Sequence, residues 1–300
     1  MSLDKSSITV SLVAELVASQ FPQWADLPIA PVPLDGTDNT SFRLGEELSV
    51  RLPSNEGYAA QVEKEHRWLP SLAPHLPLPI PQPLAKGAPA YGYPMQWSIY
   101  RWIDGEPAAT ARVDDVGQLA TDLAQFLAAL YRIDPAGGPA PGPHNFFRGG
   151  PLLTYDIDTR NAIAALGNEI NARAAIEVWE GAIAATWNGT PVWIHGDIAA
   201  DNLVVADGRL SAVIDFGSCG VGDPACDTTI AWTFFSDESR ETFRTTLPVD
   251  DATWARGRGW ALWKALITLG PAMRTHPQKA EQVRRVIEDV VAEHQRAVQP

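Results

Sequence analysis

The stretch from Val192 to Gly217, VWIHGDIAADNLVVADGRLSAVIDFG, places carboxylates among strongly apolar neighbours. It contains one histidine, four aspartates and one asparagine between runs of valine, leucine and isoleucine. A carboxylate is costly beside apolar strands unless a cation, a metal ion or hydrogen-bond donors compensate its charge. The acidic residues are therefore candidates for direct chemistry. The alternative is a hairpin whose turns are simply solvated.

The spacing inside this stretch matches a pattern that kinases use to hold a nucleotide and its metal ions. Asp197 is followed after four residues by Asn202, and a short hairpin then leads to Asp215 in the sequence DFG. This pattern predicts that Asp197 orients an acceptor hydroxyl and takes its proton, while Asn202 and Asp215 hold Mg²⁺ against the phosphates of ATP or GTP. His195 is predicted to brace the loop rather than to transfer a proton.

Three segments, IHGDIAADNLVV, VIDFGSCGVGDPACD and LSVRLP, together resemble the aminoglycoside phosphotransferase family of kinase-like small-molecule enzymes. The resemblance implies an α+β, bilobal protein-kinase-like fold with a small antiparallel-sheet N-lobe and a larger, mainly helical C-lobe. It implies the same roles for Asp197, Asn202 and Asp215. In the GDPxxD signature, Asp227 is interpreted as a structural residue that caps a helix or holds the catalytic loop, with contact to the substrate as the alternative.

A strand-bearing first third and a helical remainder predict two lobes. We expect residues 1–103 to form a nucleotide-binding lobe that ends in the hinge, and residues 104–300 to form a lobe with the catalytic loop and the acceptor site. A cleft between two such lobes is a natural place for a ligand.

The charged residue on the second strand of the first lobe departs from the protein-kinase pattern. Arg51 stands where protein kinases use a lysine to reach the α- and β-phosphates. Arginine keeps the positive charge but differs from lysine in geometry. Glu65 is the predicted helix partner of Arg51, with Glu63 as its rival and a solvated Glu65 as the alternative.

Two further segments are expected to contact the nucleotide. The stretch DGTDNTSFRLG lies where a phosphate-covering turn belongs, although it lacks a G-x-G-x-x-G motif and a plain hairpin turn is an equal alternative. Gly36 is the only glycine of this stretch before the strand, but the small polar residues Thr37, Asn39, Thr40 and Ser41 could still offer backbone N–H groups to phosphate. The hinge SIYRWIDG can offer an apolar slot and backbone hydrogen bonds to a purine. The predicted purine contacts are Ile99, Tyr100 and Trp102, with Ile214 lining the slot or the core.

The acceptor is expected to be a small molecule with a hydroxyl group, bound by the helical lobe. A polycationic aminoglycoside requires several carboxylates facing one cleft, and a macrolide requires a larger apolar pocket with one acid. A metabolic alcohol such as choline or homoserine, and a nucleotide-binding pseudokinase, remain alternatives. The candidate contacts are Asp201, Asp227, Trp232 and Glu238, with further acids at Asp156, Asp158 and Glu241, and a solvated helix face explains each acid equally well.

Composition narrows the class of protein. A formal net charge of −13 and a pI of about 4.8 argue against a nucleic-acid-binding surface. We expect no membrane segment, since no apolar run reaches the length of a membrane helix, and no signal peptide at the N-terminus. The two cysteines, Cys219 and Cys226, form no disulfide framework, which favours a cytoplasmic protein. We expect a monomer or a weak dimer.

Overall fold

The computed structural model of the chain describes residues 3–32 and 39–298, so Gly36 and Thr37 of the predicted phosphate-covering turn lie outside the described residues. The chain divides into two units. The first consists of Met1–Gly105 and Ser211–Ser218, and the second of Glu106–Leu210 and Cys219–Pro300. The DFG segment therefore belongs to the first unit, and the HGD segment belongs to the second.

The first unit is built on an antiparallel sheet with the strand order β1-β2-β3-β5-β4. Its strands are β1 (Ile29–Pro31), β2 (Asn39–Leu44), β3 (Leu48–Pro53), β4 (Pro83–Gly87) and β5 (Trp97–Arg101), and its helices are α1 (Val10–Gln20) and α2 (Glu56–Leu72). Alternating residues of β2 and β3 point into a core that includes Phe42, Leu44, Val50 and Leu52. The opposite alternation places Arg51 on the other face, in register with Ser41 on one side and Ser98 on the other.

The second unit is mainly helical. Its helices are α3 (Val116–Tyr131), α4 (Asp156–Leu166), α5 (Ala172–Ala184), α6 (Ile230–Thr233), α7 (Asp237–Thr246), α8 (Asp251–Thr275) and α9 (Pro277–Val298). Short strands β6 (Glu106–Pro107), β8 (Leu203–Ala206) and β9 (Arg209–Val213) form one small sheet, and β7 (Val192–Ile194) pairs antiparallel with β10 (Gly220–Gly222). The division between the units passes through β9. No helix in the described part of the chain has the length and apolar character that a membrane span needs.

The sheet-plus-helix architecture is confirmed, but several predicted elements have different boundaries. The sequence predicts a helix over Ala162–Ala185, but this run is interrupted at Gly167, which has a φ of 53° and ends α4. A helix is also predicted over Ala225–Phe235, and the structure has instead a 3₁₀ turn over Pro224–Thr229 followed by the single turn of α6. The proline-rich stretch of residues 74–94 interleaves its prolines with leucine and isoleucine, which predicts an ordered extended connector, and in the structure it contributes β4 to the sheet.

Helix α8 is the central helix of the second unit. Asp250 caps its N-terminus by accepting a hydrogen bond of 2.7 Å from the backbone N–H of Thr253. Two of its glycines differ sharply in their surroundings. A Cβ at Gly257 would lie 1.8 Å from Oγ1 of the buried Thr228, whereas a Cβ at Gly270 would meet no atom within 4 Å. Gly257 therefore permits the 3₁₀ turn that carries Thr228 to lie directly against the helix.

We expect opposite effects from the same substitution at these two positions of α8. Gly257→Ala should lower the free energy of unfolding by about 1–3 kcal/mol, because the added methyl group overlaps Thr228. Gly270→Ala should raise it by up to about 1 kcal/mol, because alanine is the better helix former. Urea denaturation followed by circular dichroism compares the two variants. Equal effects at both positions would contradict the close contact between the helix and the turn.

Candidate active site

The backbone on either side of the HGD sequence is held by one buried carboxylate. Asp227 is completely buried, and its two oxygens accept hydrogen bonds from the backbone N–H groups of His195, at 3.0 Å, and Gly196, at 2.7 Å. Burial raises the pKa of Asp227 to about 7, although both backbone donors act to lower it. Asp227 thus holds the loop, and its side chain has no exposed surface for an acceptor.

The loop that carries Asp197 is braced from within as well. The Nδ1 atom of His195 accepts a hydrogen bond of 3.2 Å from the backbone N–H of Asp197. The amide nitrogen of Asn202 donates to the backbone carbonyl of Asp197 at 2.9 Å. The Asp197 side chain therefore projects from a backbone fixed on both sides. With the amide nitrogen of Asn202 engaged, its Oδ1 is the atom suited to a metal ion.

The carboxylate of Asp197 has a cationic partner in α8. The Nζ atom of Lys264 donates to Oδ1 of Asp197 at 2.7 Å. Burial alone would raise the pKa of Asp197, but the charge and hydrogen bond of Lys264, with smaller contributions from Arg148 and His195, lower it below its usual value. Asp197 is therefore ionised at neutral pH and able to accept a proton.

A small cavity lies directly beside Asp197 within the second unit. Its lining includes Arg148, Trp260, Trp263 and Lys264. The guanidinium carbon of Arg148 lies 5.1 Å from the ring centre of Trp260 and 4.8 Å from that of Trp263. The thiol of Cys226 also lines the cavity, and burial followed by the charge of Asp227 raises its pKa well above the usual value. The surface beside Asp197 is thus both aromatic and cationic.

The first aspartate of the GDPxxD signature joins this turn to α8. Asp223 and Arg256 are both buried, and their side chains form a bidentate pair at 2.6 and 3.0 Å. Asp223 also accepts a hydrogen bond from the backbone N–H of Ala225, at the start of the 3₁₀ turn. The turn that presents Asp227 is therefore tied to the helix that presents Lys264.

The first unit contains its own charged cluster. Nη2 of Arg51 lies 3.6 Å from Oδ1 of Asp215. Burial works against the charged form of Arg51, but the carboxylates of Glu65 and Asp215 raise its pKa above the usual value. Burial raises the pKa of Glu65, with Arg51 opposing the shift, and the hydroxyl of Tyr100 donates to the Glu65 carboxylate. The structure thus brings Arg51, Glu65 and Asp215 together.

The rival partner Glu63 is engaged elsewhere, in an exposed ion pair with Lys86. Helix α2 instead contacts the DFG segment through a residue that sequence reasoning missed. Lys64 is buried, and its Nζ atom donates to the backbone carbonyl of Gly217 at 2.5 Å. A Cβ at Gly217 would lie 2.5 Å from Oε1 of Gln61, which is also buried. Helix α2 therefore supports both Arg51 and the segment that presents Asp215.

The residues predicted to contact the purine lie in different environments. Ile99 and Tyr100 are buried on β5, and Ile99 belongs to the core of the first unit. Trp102 is half-buried, its backbone N–H donates to the carbonyl of Glu47 at 2.7 Å, and its ring lies 4.1 Å from the guanidinium of Arg43. Ile214 and Ser41 are also half-buried.

The metal-ligand prediction can be tested against the chemistry of the residues present. Asp215 has a φ of 65° and an exposed side-chain fraction of 33%, so its carboxylate is accessible. Within residues 3–32 and 39–298, no group of three or more histidine, cysteine, aspartate or glutamate residues could hold a metal ion. Mg²⁺ usually keeps several waters and takes only one or two protein carboxylates together with substrate phosphates. A carboxylate such as that of Asp215 and an amide oxygen such as that of Asn202 are each ligands of a kind that Mg²⁺ accepts.

The remaining acceptor candidates are spread over the second unit. Trp232 is buried, and its Nε1–H donates to Glu293 at 2.7 Å, which is a packing role. Asp201 and Glu238 are exposed, the latter in the first turn of α7. Asp156 accepts from Trp179 and pairs with Arg160. These acids are therefore occupied or solvated.

Sequence reasoning did not identify Arg148 and Lys264 as residues beside Asp197. Lys264 had a detectable signal, because it is the single charged residue in the segment GWALWKALITLG. Arg148 precedes two glycines and a proline in a segment without periodicity, and no local pattern indicates its position.

The chain is similar to known proteins in sequence and in fold. The family model described as "Phosphotransferase enzyme family" matches residues 29–260. A Bacillus subtilis (strain 168) protein, the uncharacterised YcbJ, is 28% identical over 198 residues, which are 62% of this chain. The match covers 58% of that protein, less than two thirds of its length.

Solved structures share the fold at low sequence identity. The GDP and kanamycin complex of APH(2")-IIia has a TM-score of 0.74 and 19% identity, over 94% of this chain and 99% of that one. The macrolide 2'-phosphotransferase MphH from Brachybacterium faecium has a TM-score of 0.61 and 20% identity, over 93% of this chain and 98% of that one. The streptomycin–ATP complex of APH(2")-IIa also has a TM-score of 0.61, with 19% identity over 95% and 96% of the two chains. The protein-kinase-like fold predicted from the sequence is thereby confirmed.

Replacing the carboxylate that holds the loop should change how stability depends on pH. The pKa of Asp227 is 3.8 as a free group and about 7 in the folded chain, so the folded state binds more protons between these values. The free energy of unfolding therefore falls as pH rises through this window. The asparagine in Asp227→Asn cannot titrate. We therefore expect the free energy of unfolding of this variant to fall less between pH 5 and pH 8 than that of the wild type.

Chemical denaturation at pH 5 and pH 8 makes this measurement. The matched control is Asp250→Asn at the cap of α8, because the pKa of Asp250 is lowered and its titration lies below the window. The control should show the same change in the free energy of unfolding between pH 5 and pH 8 as the wild type. If Asp227→Asn also showed that change, the raised pKa of Asp227 would be contradicted.

Proposed function

This chain belongs to the phosphotransferase enzyme family, and we propose that it transfers the γ-phosphoryl group of ATP or GTP to a hydroxyl group of a small molecule. Its enzyme class is that of the small-molecule kinases. The observation that carries the proposal is the ionised Asp197 on a loop braced by His195 and Asp227. A fixed carboxylate of this kind can orient a hydroxyl group and accept its proton.

On the nucleotide side, we propose that Arg51 binds the α- and β-phosphates and that Glu65 holds Arg51 in place. The guanidinium of Arg51 has two carboxylates near it and carries a full charge, as a phosphate ligand requires. The purine is proposed to lie against Ile214 and Trp102, while Ile99 and Tyr100 contribute backbone and core because their side chains are buried. Ser41, in register with Arg51, is a further phosphate contact.

Asn202 and Asp215 are proposed to hold Mg²⁺, which, when bound, neutralises the developing charge on the phosphates. The acceptor oxygen attacks the γ-phosphorus in line with the leaving group, and the bond between that phosphorus and the β-γ bridging oxygen breaks. The hydroxyl proton passes to Asp197, and ADP or GDP leaves without a covalent phosphoenzyme. The loop's contribution is positioning, because its hydrogen bonds fix Asp197 before the acceptor arrives.

The class of small molecule that supplies the hydroxyl group depends on the residues that line the cavity beside Asp197. An aminoglycoside-type antibiotic is the first candidate, since the GDP and kanamycin complex of APH(2")-IIia has the same fold. A polycation requires several carboxylates, however, and the candidates Asp156, Asp201 and Glu238 are paired or solvated. The cavity beside Asp197 is instead lined by Arg148 and Lys264. The shared fold therefore favours an aminoglycoside acceptor, whereas the positive charge of this cavity does not.

We expect Asp197→Ala to abolish phosphoryl transfer, because no other carboxylate is fixed at that point of the loop. The variant should keep its thermal stability and its nucleotide affinity. The measurement is nucleotide consumption with Mg²⁺ across aminoglycosides, macrolides, amino alcohols and hydroxy acids, with Asp26→Ala at an exposed loop position as the control. Transfer by Asp197→Ala would remove the residue from the role of base. Tight nucleotide binding without transfer by the wild type would favour a pseudokinase.

We also expect Arg51→Met to weaken nucleotide binding by about tenfold or more, since a charge-assisted hydrogen bond contributes roughly 1.5–3 kcal/mol. Arg51→Lys should recover part of the affinity, because it keeps the charge without the forked geometry. Calorimetric titration with Mg-ATP and Mg-GTP measures the effect. Arg67→Met, at an exposed arginine on α2, is the control. Unchanged affinity in Arg51→Met would contradict the phosphate role.

A further inference from the structure

The cavity beside Asp197 has an unusual set of unpaired hydrogen-bond donors. Trp260 and Trp263 are 2% and 6% exposed, and the Nε1–H group of each is buried without a hydrogen-bond partner in the described structure. The Nη1 atom of Arg148 is likewise buried without a partner among the described residues. All three residues line the same cavity. Because a buried donor without an acceptor costs about 1–3 kcal/mol, three in one cavity indicate acceptor atoms supplied from outside the chain, by bound water or by a ligand that displaces it.

The cavity also carries net positive charge. Lys264 is paired with Asp197, which is the one acidic residue among the lining residues described. Arg148 forms no ion pair with a carboxylate in the described part of the chain, and it shares the single charge of Asp197 with Lys264. The three side chains together therefore leave one positive charge in excess. A group that can accept several hydrogen bonds and compensate a positive charge is an oxyanion.

The donors are held in fixed positions. The rings of Trp260 and Trp263 lie 5.7 Å apart at 87°, and Tyr155 lies against both, with ring-centre distances of 5.7 and 4.1 Å. The hydroxyl of Tyr155 donates to the backbone carbonyl of Phe146 at 2.6 Å, which fixes this wall. Arg148 lies over both tryptophan rings. The cavity is therefore preorganised, so little conformational entropy is lost when a ligand binds.

We propose that this cavity binds a carboxylate or phosphate group of the acceptor, and that the acceptor is an anionic hydroxyl compound. Arg148 and the two tryptophan N–H groups hold the anionic group, while Asp197 receives the hydroxyl proton. The inference rests on the proposed phosphotransferase function and assigns the acceptor class to the same site. It also explains the scarcity of free carboxylates there, since a polycationic acceptor is repelled by Arg148 and Lys264.

The first experiment measures binding without catalysis. Glycerate, glycerol 3-phosphate, glycerol and serinol share a three-carbon skeleton and carry a carboxylate, a phosphate, no charge and a positive charge. Calorimetric titration of the wild type should show binding of one or both anions and of neither other compound. The stronger anion distinguishes a carboxylate acceptor from a phosphate acceptor. Absence of anion binding by the wild type would overturn the inference.

Variants localise the binding to this cavity. Arg148→Gln should weaken anion binding by about tenfold or more, because a hydrogen bond to a charged group contributes roughly 1.5–3 kcal/mol. Arg148→Lys should recover part of the affinity, and Trp263→Phe, which removes one N–H group, should weaken it on its own. Arg244→Gln is the matched control, because Arg244 lies 5.5 Å from the ring centre of Trp254 and pairs with Asp251 on another surface. Anion binding that survives Arg148→Gln unchanged would overturn the assignment.

A second readout separates the acceptor role from contact with the transferred phosphoryl group. Arg148→Gln should raise the KM for an anionic acceptor and leave the dissociation constant of Mg-ATP unchanged. Weaker Mg-ATP binding with unchanged KM would place Arg148 at the nucleotide and overturn the inference. If neutral or cationic hydroxyl compounds are phosphorylated in preference to anionic ones, the acceptor class is wrong although the kinase function stands. If anions bind but nothing is phosphorylated, the anion site stands and the kinase function fails.

Discussion

The geometry beside the proposed base depends on one buried carboxylate that accepts hydrogen bonds from two consecutive backbone N–H groups. The donors of His195 and Gly196 offset much of the cost of holding Asp227 in an apolar interior. The dependence runs in both directions, since the loop backbone has this course only while the carboxylate is present. The 3₁₀ turn that carries Asp227 is itself tied to α8 through the buried pair of Asp223 and Arg256. The position of Asp197 is thus set by contacts among residues that are buried within the second unit.

Helix α8 links the support of the loop to the lining of the cavity. Arg256, Trp260, Trp263 and Lys264 follow one another at helical spacing, so they share one face of the helix. The first of these residues holds the turn, the next two form the aromatic wall, and the last contacts Asp197. A single helix therefore sets both where the proposed base lies and which charge surrounds it. Rotation of this helix by one residue would displace all of these contacts together.

Sequence spacing indicates best those contacts that lie within one loop. Asn202 follows Asp197 after four residues, and its amide nitrogen donates to the backbone carbonyl of Asp197. Lys264 is 67 residues from the carboxylate that it contacts, and no local pattern encodes such a distance. The number of tryptophans likewise does not predict the surroundings of any one of them. The indole N–H of Trp232 faces Glu293, whereas that of Trp260 has no partner in the described structure, and only the packing of helices distinguishes them. The predicted continuous helix over Ala162–Ala185 is wrong at Gly167, because this residue adopts a positive φ within a segment whose composition is otherwise helical.

The burial of both cysteines gives the chain an intrinsic reporter of local opening. Cys226 lies within the GDPxxD turn and Cys219 lies three residues before it. Both side chains are buried, and the raised pKa of Cys226 keeps it protonated at neutral pH. A protonated, inaccessible thiol reacts with alkylating reagents only when the surrounding structure opens. Because the sequence has no other cysteine, the rate of alkylation measures the opening of the segment that holds the catalytic loop, without the introduction of any label.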